Sequence, residues 1–281
     1  MITPHFLDQF SLAQLFLVTL AVMVLFIEIG FRIGRNRQSK AAKAQSSQVR
    51  SIMGAILGLL AFILAFSFAT GQSHYEVRVQ YLVEEARLAR NVYFQAEFLP
   101  APYADQARQI IRKYIGERIQ ADQLARKNKV AEILELTEGS EEMHKHLWRI
   151  AAINENRSDD SLGTGQGRDP FTALVSSLID IHAQRIQAAL MNRIPNIIWI
   201  SLYLCALLSM LVVGYQAGLV GRRSPIATVS LALVFSAIMM LITDLDRPLM
   251  SLFHMDNHIM VEIMQMMDAE QAALLEIVTE N

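Results

Sequence analysis

The stretch that decides the fold is residues 54–96, which read GAILGLLAFILAFSFATGQSHYEVRVQYLVEEARLARNVYFQA. No charged side chain occurs between Gly54 and Gly71. Small or apolar residues recur through the whole stretch at steps of four and three without a break. This spacing is typical of a helix that packs along one seam against other helices. The seam consists of Gly54, Gly58, Ala61, Ala65, Phe68, Gln72, Tyr75, Val79, Leu82, Ala86, Ala89, Tyr93 and Ala96.

The seam predicts one long helix that begins in a membrane and ends outside it. No proline interrupts it before Pro100, so the helix is expected to run for roughly 45 residues, or about 70 Å. About 30 Å of that length lies in hydrocarbon. Glycine and alanine let helix backbones approach closely in lipid. The seam therefore packs either against another span of the same chain or against copies of itself around a common axis.

Three further apolar stretches accompany the Ser51–Gly71 span: Leu12–Gly34, Ile194–Gly221 and Ser224–Thr243. Each has the length of about 20 residues that crossing a bilayer requires. Charged residues make up 19% of the 281-residue chain, against about 25% in soluble domains. Strand-like alternation extends over only a few residues at a time. The predicted fold class is all-α, an integral membrane protein with four transmembrane helices and a helical extramembrane extension.

Basic residues in the short loops predict the orientation of the spans. The link between the first two spans holds Arg32, Arg35, Arg37, Lys40, Lys43 and Arg50 without an acid, which is typical of a cytoplasmic loop. Both termini and residues 72–192 are then extracytoplasmic, in a bacterial inner membrane. The predicted organisation is a first transmembrane hairpin (1–71), an extracytoplasmic helical region (72–192), a second hairpin (193–243) and an amphipathic C-terminal helix (244–281).

Helical spacing continues outside the membrane. It predicts one helix over Asp105–Thr137, one from Ser140, as its N-cap, to about Asn154, and one over Phe171–Asn192. Beyond Pro248, a methionine-rich stripe predicts a helix that lies on the membrane surface or packs on the outer bundle.

The sequence offers no enzyme chemistry, metal site or cofactor site. The glycines of Gly163–Gly167 lie in a polar loop, whereas a phosphate-binding loop follows a strand. His144 and His146 are two residues apart and point to different helix faces, which favours a solvated helix over a metal site. The single cysteine, Cys205, lies within a span. A net charge of −2 argues against a nucleic-acid partner.

Two groups of membrane residues have a structural and a functional interpretation. Phe62, Phe66 and Thr70 form a stripe at i, i+4 and i+8. In the structural interpretation they face the lipid or the protein core. In the functional one they form a hydrophobic constriction of a pore. Glu28 either pairs with Arg32 at i+4 or acts as an ionisable group within the membrane.

Asp244, Asp246 and Arg247 follow the fourth span directly, in the segment Asp244-Leu245-Asp246-Arg247-Pro248. Charges at the interface commonly anchor spans, which favours a polar clamp that joins the fourth span to the long helix, with Arg78 or Glu76 as partners. Carboxylates around a pore mouth would instead favour cations.

Five segments together resemble the bestrophin-like domain family of bacterial membrane proteins, which is distantly likened to the bestrophin channels. They are Glu84-Glu85-Ala86, Phe98-Leu99-Pro100, Arg112-Lys113-Tyr114-Ile115, Ile194-Pro195 and Asp244-Leu245-Asp246-Arg247-Pro248. The resemblance covers roughly residues 50–260, and its last segment is the most specific. By analogy with bestrophins, it implies a homo-oligomer, a pentamer in that family, whose second span lines an apolar neck. Phe62 and Phe66 are the candidates for that neck.

Two hypotheses follow. In the first, the protein is a homo-oligomeric ion channel in the lipid bilayer that conducts inorganic ions. Its pore is lined by Gly58, Ala61, Phe62, Ala65, Phe66 and Thr70. In the alternative, it is a non-conducting sensor or scaffold that signals or binds partners through its extracytoplasmic helical stalk.

Overall fold

The computed structural model describes residues 10–37, 42–127, 129–162, 169–191, 193–221, 223–247 and 258–280. Within these ranges the regular structure is helical throughout and contains no strand, which confirms the all-α prediction. The helices are α1 (Leu12–Asn36), α2 (Ala42–Gln95), α3 (Tyr103–Arg126), α4 (Val130–Leu162), α5 (Pro170–Met191), α6 (Asn196–Val220), α7 (Pro225–Asp246) and α8 (His258–Glu280). The helices α1, α2, α6 and α7 are long and apolar enough to cross a membrane, as predicted.

The long helix is present and exceeds its predicted length. It begins at Ala42 and ends at Gln95, 54 residues in all, which is about 80 Å of helix. A single 3₁₀ turn, Ala96–Phe98, follows it before Pro100. The chain divides into two compact units, and α2 contributes to both.

The first unit comprises residues 1–75 and 192–247. Its apolar core is formed by α1, α2, α6 and α7, with Met23, Leu60, Leu202, Met210 and Met239 among its buried residues. Gly30 and Gly214 allow the backbones of α1 and α6 to touch. A Cβ at Gly30 would lie 2.0 Å from the Leu211 carbonyl oxygen, and one at Gly214 would lie 2.0 Å from that of Ile27.

Glu28 belongs to an ion-pair group at one end of this unit. Its Oε1 lies 2.9 Å from Arg32 Nε and 3.2 Å from Arg223 Nη2. The Arg223 guanidinium also lies 3.9 Å from the centroid of the Phe31 ring. The predicted pairing of Glu28 with Arg32 is therefore present, and Arg223 adds a link from α1 to the start of α7.

The second unit comprises residues 76–191 and 248–281. The outer part of α2 packs with α3, α4, α5 and α8 around a core that includes Ala89, Ile111, Leu147 and Leu178. Helix α8 buries Met260, Ile263 and Met267 in the same core. The C-terminal helix thus packs on the outer bundle, which was one of its two predicted positions.

The helix boundaries differ from the prediction in the middle of this unit. The helix predicted over Asp105–Thr137 ends at Arg126, and α4 begins at Val130. Ser140 is not an N-cap, because it lies inside α4 and is buried. Its hydroxyl donates to the Leu136 carbonyl oxygen at 3.0 Å and accepts from Arg118. Residues 163–168, which include the glycine-rich loop, lie outside the described ranges.

Candidate functional site

The membrane-crossing part of α2 buries one face within the first unit and leaves the opposite face exposed. Leu60, Leu64, Ser67 and Gly71 are buried. Gly58, two residues before Leu60, lies about 200° around the helix from it and is exposed. We call the exposed surface the open face. The name refers to the six of its residues that the argument uses, Gly54, Gly58, Ala61, Phe62, Ala65 and Phe66; Ala55, Leu59, Phe68 and Ala69 are also exposed.

The glycines of the open face differ from those of α1 and α6. At Gly54 and Gly58, no heavy atom of the described chain beyond the adjacent turns of α2 lies within 4 Å of the position a Cβ would take. At Gly30 and Gly214 that position is occupied by the backbone of a neighbouring helix. Lipid-facing surfaces have no need of small residues, whereas close helix contacts do. The open face therefore has the composition of a helix–helix contact, and no described residue of another helix fills the space next to Gly54 and Gly58.

The two halves of the predicted seam have different surroundings. Its outer positions, from Leu82 to Ala96, are buried within the second unit. Its membrane positions, from Gly54 to Phe68, are exposed. Packing among the described residues of one chain therefore accounts for the outer half of the seam only. The membrane half of the seam is exposed in the described part of the chain.

The predicted pore-lining residues are only partly on one surface. Gly58, Ala61, Phe62, Ala65 and Phe66 share the open face, with Phe62 69% and Phe66 58% exposed. Thr70 lies at its edge and is partly buried, and its hydroxyl donates to the Phe66 carbonyl oxygen at 3.0 Å. That these residues line a pore stays a prediction.

Asp244, Asp246 and Arg247 are all buried. The Ile194 amide donates to Asp246 Oδ1 at 2.8 Å, and Arg247 Nη2 donates to the Phe10 carbonyl oxygen at 2.9 Å. These bonds join the end of α7 to the segments that precede α6 and α1. The end of α7 is thus clamped, but these two bonds reach the segments before α6 and α1 and not the long helix that the prediction named. A ring of carboxylates at a pore mouth stays a prediction, and the burial of Asp244 and Asp246 disfavours it.

A buried polar group occupies the core of the second unit. We call it the Glu85 cluster, and it consists of Glu85, Tyr114, Arg118, His144, His182 and Arg185. Glu85 Oε1 accepts from the Tyr114 hydroxyl and lies 3.1 Å from His182 Nδ1. Glu85 Oε2 lies 2.9 Å from Arg185 Nε. The Arg118 guanidinium lies 5.3 Å from the centroid of the Tyr114 ring.

The surroundings fix the charges of this cluster. Burial acts to raise the pKa of Glu85, but the charge of Arg185, the His182 hydrogen bond and the charge of Arg118 outweigh it and lower the pKa to about 2. Burial, together with the nearby Glu85 charge, raises the pKa of Tyr114 well above its ordinary value. Burial and the neighbouring His182 lower the pKa of His144 to about 4. Burial also lowers the pKa of His182, against the Glu85 hydrogen bond. At neutral pH the carboxylate is charged and both imidazoles are neutral.

Sequence reasoning missed this cluster because each member is unremarkable alone. The prediction of a solvated helix around His144 is wrong for this residue, although Glu141, Glu142 and His146 surround it in the chain. His144 lies instead on the buried stripe of α4, with Ser140, Met143, Leu147 and Ala151. That apolar stripe, which places a histidine at a core position, was the feature of the sequence that could have indicated a buried His144.

The comparison with protein families confirms the resemblance and extends it to the first span. A model of the bestrophin-like domain matches residues 16–251. The chain belongs to the bestrophin-like domain family. Comparisons with curated proteins and with solved structures give no match.

The match in this bestrophin-like chain includes the open face, the Asp246–Arg247 clamp and every member of the Glu85 cluster. Helix α8 begins beyond the matched residues. The family and the four apolar helices make this a membrane protein.

Proposed function

We propose that this bestrophin-like protein is a homo-oligomeric ion channel in which α2 of each copy lines the pore. The observation that carries the proposal is the open face, because its small residues are exposed and no described residue of another helix lies within 4 Å of a Cβ at Gly54 or Gly58. In the most apolar 18-residue stretch of α2, 17% of the residues are buried, against 33% in the corresponding stretch of α6. As a channel of this kind, the protein would catalyse no reaction and would need no cofactor.

The chemistry of the open face suits a narrow apolar pore. Copies of α2 around one axis bring Gly54, Gly58, Ala61 and Ala65 close together, as small-residue seams do in lipid. Phe62 and Phe66 then form aromatic rings along the axis. Hydrophobic constrictions of this kind gate by dewetting. We place the oligomer in a bacterial inner membrane, with the second unit outside the cytoplasm, following the basic loops.

Single-channel recording of the purified protein in planar bilayers tests the proposal. We expect discrete currents, and we expect Phe66→Ala to enlarge them or to increase leak because it widens the constriction. Leu204→Ala on α6 is the matched control, since Leu204 is 56% exposed; its currents should equal those of the unsubstituted protein. Silence from intact oligomers of both the unsubstituted protein and Phe66→Ala would contradict the proposal.

Cysteine accessibility then maps the water-facing surface. In a Cys205→Ser background, single cysteines at Phe62, Phe66 and Thr70, which lie beside the packed glycine and alanine positions, should react with a charged thiol reagent. A cysteine at Val234, 56% exposed on α7, faces lipid in this arrangement and should not react. Equal protection at all four positions would contradict a water-filled α2 lining.

A non-conducting sensor or scaffold is the second candidate, favoured by the absence of any charged residue in Ser51–Gly71. Silence of an intact oligomer, together with protection of the open-face cysteines, would support it.

A further inference from the structure

Two buried imidazoles touch each other in the second unit. The rings of His144 on α4 and His182 on α5 have centroids 4.6 Å apart and planes at 73°. The two residues are 6% and 4% exposed. Both Nε2 atoms are buried and form no hydrogen bond to the described part of the chain. Two imidazolium charges at this separation repel strongly in a poorly hydrated core.

The groups that face the imidazoles come from every packed helix around them. Helix α2 supplies Glu85, α3 supplies Tyr114 and Arg118, and α5 supplies Arg185. With both imidazoles neutral, the six members of the cluster hold two guanidinium charges and one carboxylate, an excess of positive charge; Glu117, outside the cluster, also acts on Arg118. Each added proton increases that excess. The excess also disfavours a metal cation, and no group of three potential metal ligands occurs within the described ranges.

We propose that the Glu85 cluster is an acid-sensitive switch, in which protonation of His144 and His182 loosens α3, α4 and α5 from α2. At neutral pH both rings stay neutral and packed. Below the ordinary imidazole range, an opened state that exposes the rings to water takes up protons and is stabilised. The switch does not depend on ion conduction. In the orientation predicted from the basic loops, it faces the medium outside the cytoplasm.

The direction and size of the response follow from proton binding. His144 has a pKa of about 4 in the closed state, against 6.5 when exposed. The opened state therefore binds more protons between these values, and the equilibrium shifts toward opening as the pH falls. From pH 7.5 to pH 5 the shift from His144 alone is about 30-fold. His182 acts in the same direction. Glu85, with a pKa of about 2 against 4.5, contributes mainly below pH 4.5.

Hydrogen exchange on the full-length protein in nanodiscs tests the switch, with rates corrected for the intrinsic pH dependence of exchange. We expect protection of α3, α4 and α5 to fall by about 30-fold or more between pH 7.5 and pH 5. The histidine-free helices α1 and α6 serve as the internal reference. In the double variant His144→Gln/His182→Gln, the fall should be less than about threefold. His146→Gln removes an exposed imidazole of the same helix and should retain the full response.

The proposal would be overturned by unchanged protection of α3–α5 in the unsubstituted protein at pH 5. It would also be overturned by a full response in the folded double variant, or by its loss in His146→Gln. If the double variant does not fold at pH 7.5, the single variant His144→Gln decides. Its response must then fall short of that of the unsubstituted protein by about tenfold or more.

Discussion

At the scale of single residues, Glu85 is a charge buried in the core of the second unit. It is fully buried between Arg185 and Arg118, and it accepts from Tyr114. Glu85→Gln leaves Arg185 without this buried counter-charge, and it leaves Arg118 with Glu117 alone of its two carboxylates. Breaking a buried pair from one side costs about 3–5 kcal/mol. We expect the free energy of unfolding of the second unit, measured by urea denaturation at pH 7, to fall by that amount.

Glu84 is the matched control for this substitution. It is the adjacent acid, its side chain is 40% exposed, and it pairs with Arg87 on the surface. Surface pairs of this kind contribute little to stability. Glu84→Gln should leave the urea midpoint unchanged. An equal loss in both variants would show that the burial of Glu85 is not the cause.

The same carboxyl makes the free energy of unfolding of the second unit depend on pH in the acid range. The pKa of Glu85 is about 2 in the folded protein and 4.5 when exposed. The unfolded chain therefore takes up a proton at a higher pH than the folded one. This stabilisation is present above pH 4.5, and about 3 kcal/mol is lost as the pH falls toward 2. Urea midpoints at pH 5 and pH 3 should differ less in Glu85→Gln than in the unsubstituted protein. Parallel pH profiles would contradict this assignment.

Residue roles were the part of this structure that the sequence predicted least well. Glu28 was predicted correctly, because its partner Arg32 is four residues away on the same helix. Glu85 and His182 are 97 residues apart in the chain. No local pattern specifies that distant helices bring two such side chains together, so tertiary packing had to be known first.

At the scale of helices, the α1–α6 contact depends on glycine. A Cβ at Gly214 would lie 2.0 Å from the Ile27 carbonyl oxygen, and both backbones must move to admit it. Overpacking a tight contact costs typically about 1–3 kcal/mol. We expect Gly214→Ala to lower the thermal unfolding midpoint of the first unit in detergent.

Gly139→Ala is the control for the glycine substitution. Gly139 lies within α4, and its nearest neighbour to a new Cβ is the flexible Glu117 carboxylate at 3.5 Å. Alanine in a helix interior is favoured over glycine by about 1 kcal/mol. Gly139→Ala should therefore stabilise the second unit. Destabilisation by both substitutions would indicate that backbone contact at Gly214 is not decisive.

Helix existence was predictable, whereas helix boundaries were not. Length and hydropathy determine the four spans, and the lack of proline before Pro100 predicts the continuity of α2. The break between Arg126 and Val130 carries neither glycine nor proline. It is marked in the structure by the Lys129 amide, which donates to the Leu124 carbonyl oxygen at 3.0 Å. Such a local bond has no sequence signature of its own.

At the scale of the whole molecule, one heptad spacing serves two environments. Ala86 and Ala89 continue the seam of Gly54 and Gly58 without a change of period. The two alanines are nevertheless buried, whereas the two glycines are exposed. The heptad spacing indicates that one face of the helix packs against other helices, because close helix packing uses the same spacing in water and in lipid. It does not report whether the partners belong to the same chain. The sequence therefore left both alternatives open.

Oligomer size is the property of the whole molecule that the open face predicts. If copies meet through this face, a bulky side chain at Gly58 separates their backbones, while the single chain has room for it. Gly58→Leu should shift the assembly toward the monomer by about tenfold or more in Kd, measured by mass photometry across a dilution series. Ser201→Leu adds a similar bulk to an exposed position of α6 and should leave the assembly unchanged. Because Gly58→Leu leaves the core of the first unit intact, its thermal midpoint should match that of the control at a dilution where both proteins are monomeric. An oligomer that survives Gly58→Leu on dilution would place the contact on another surface and remove the main support for a pore lined by α2.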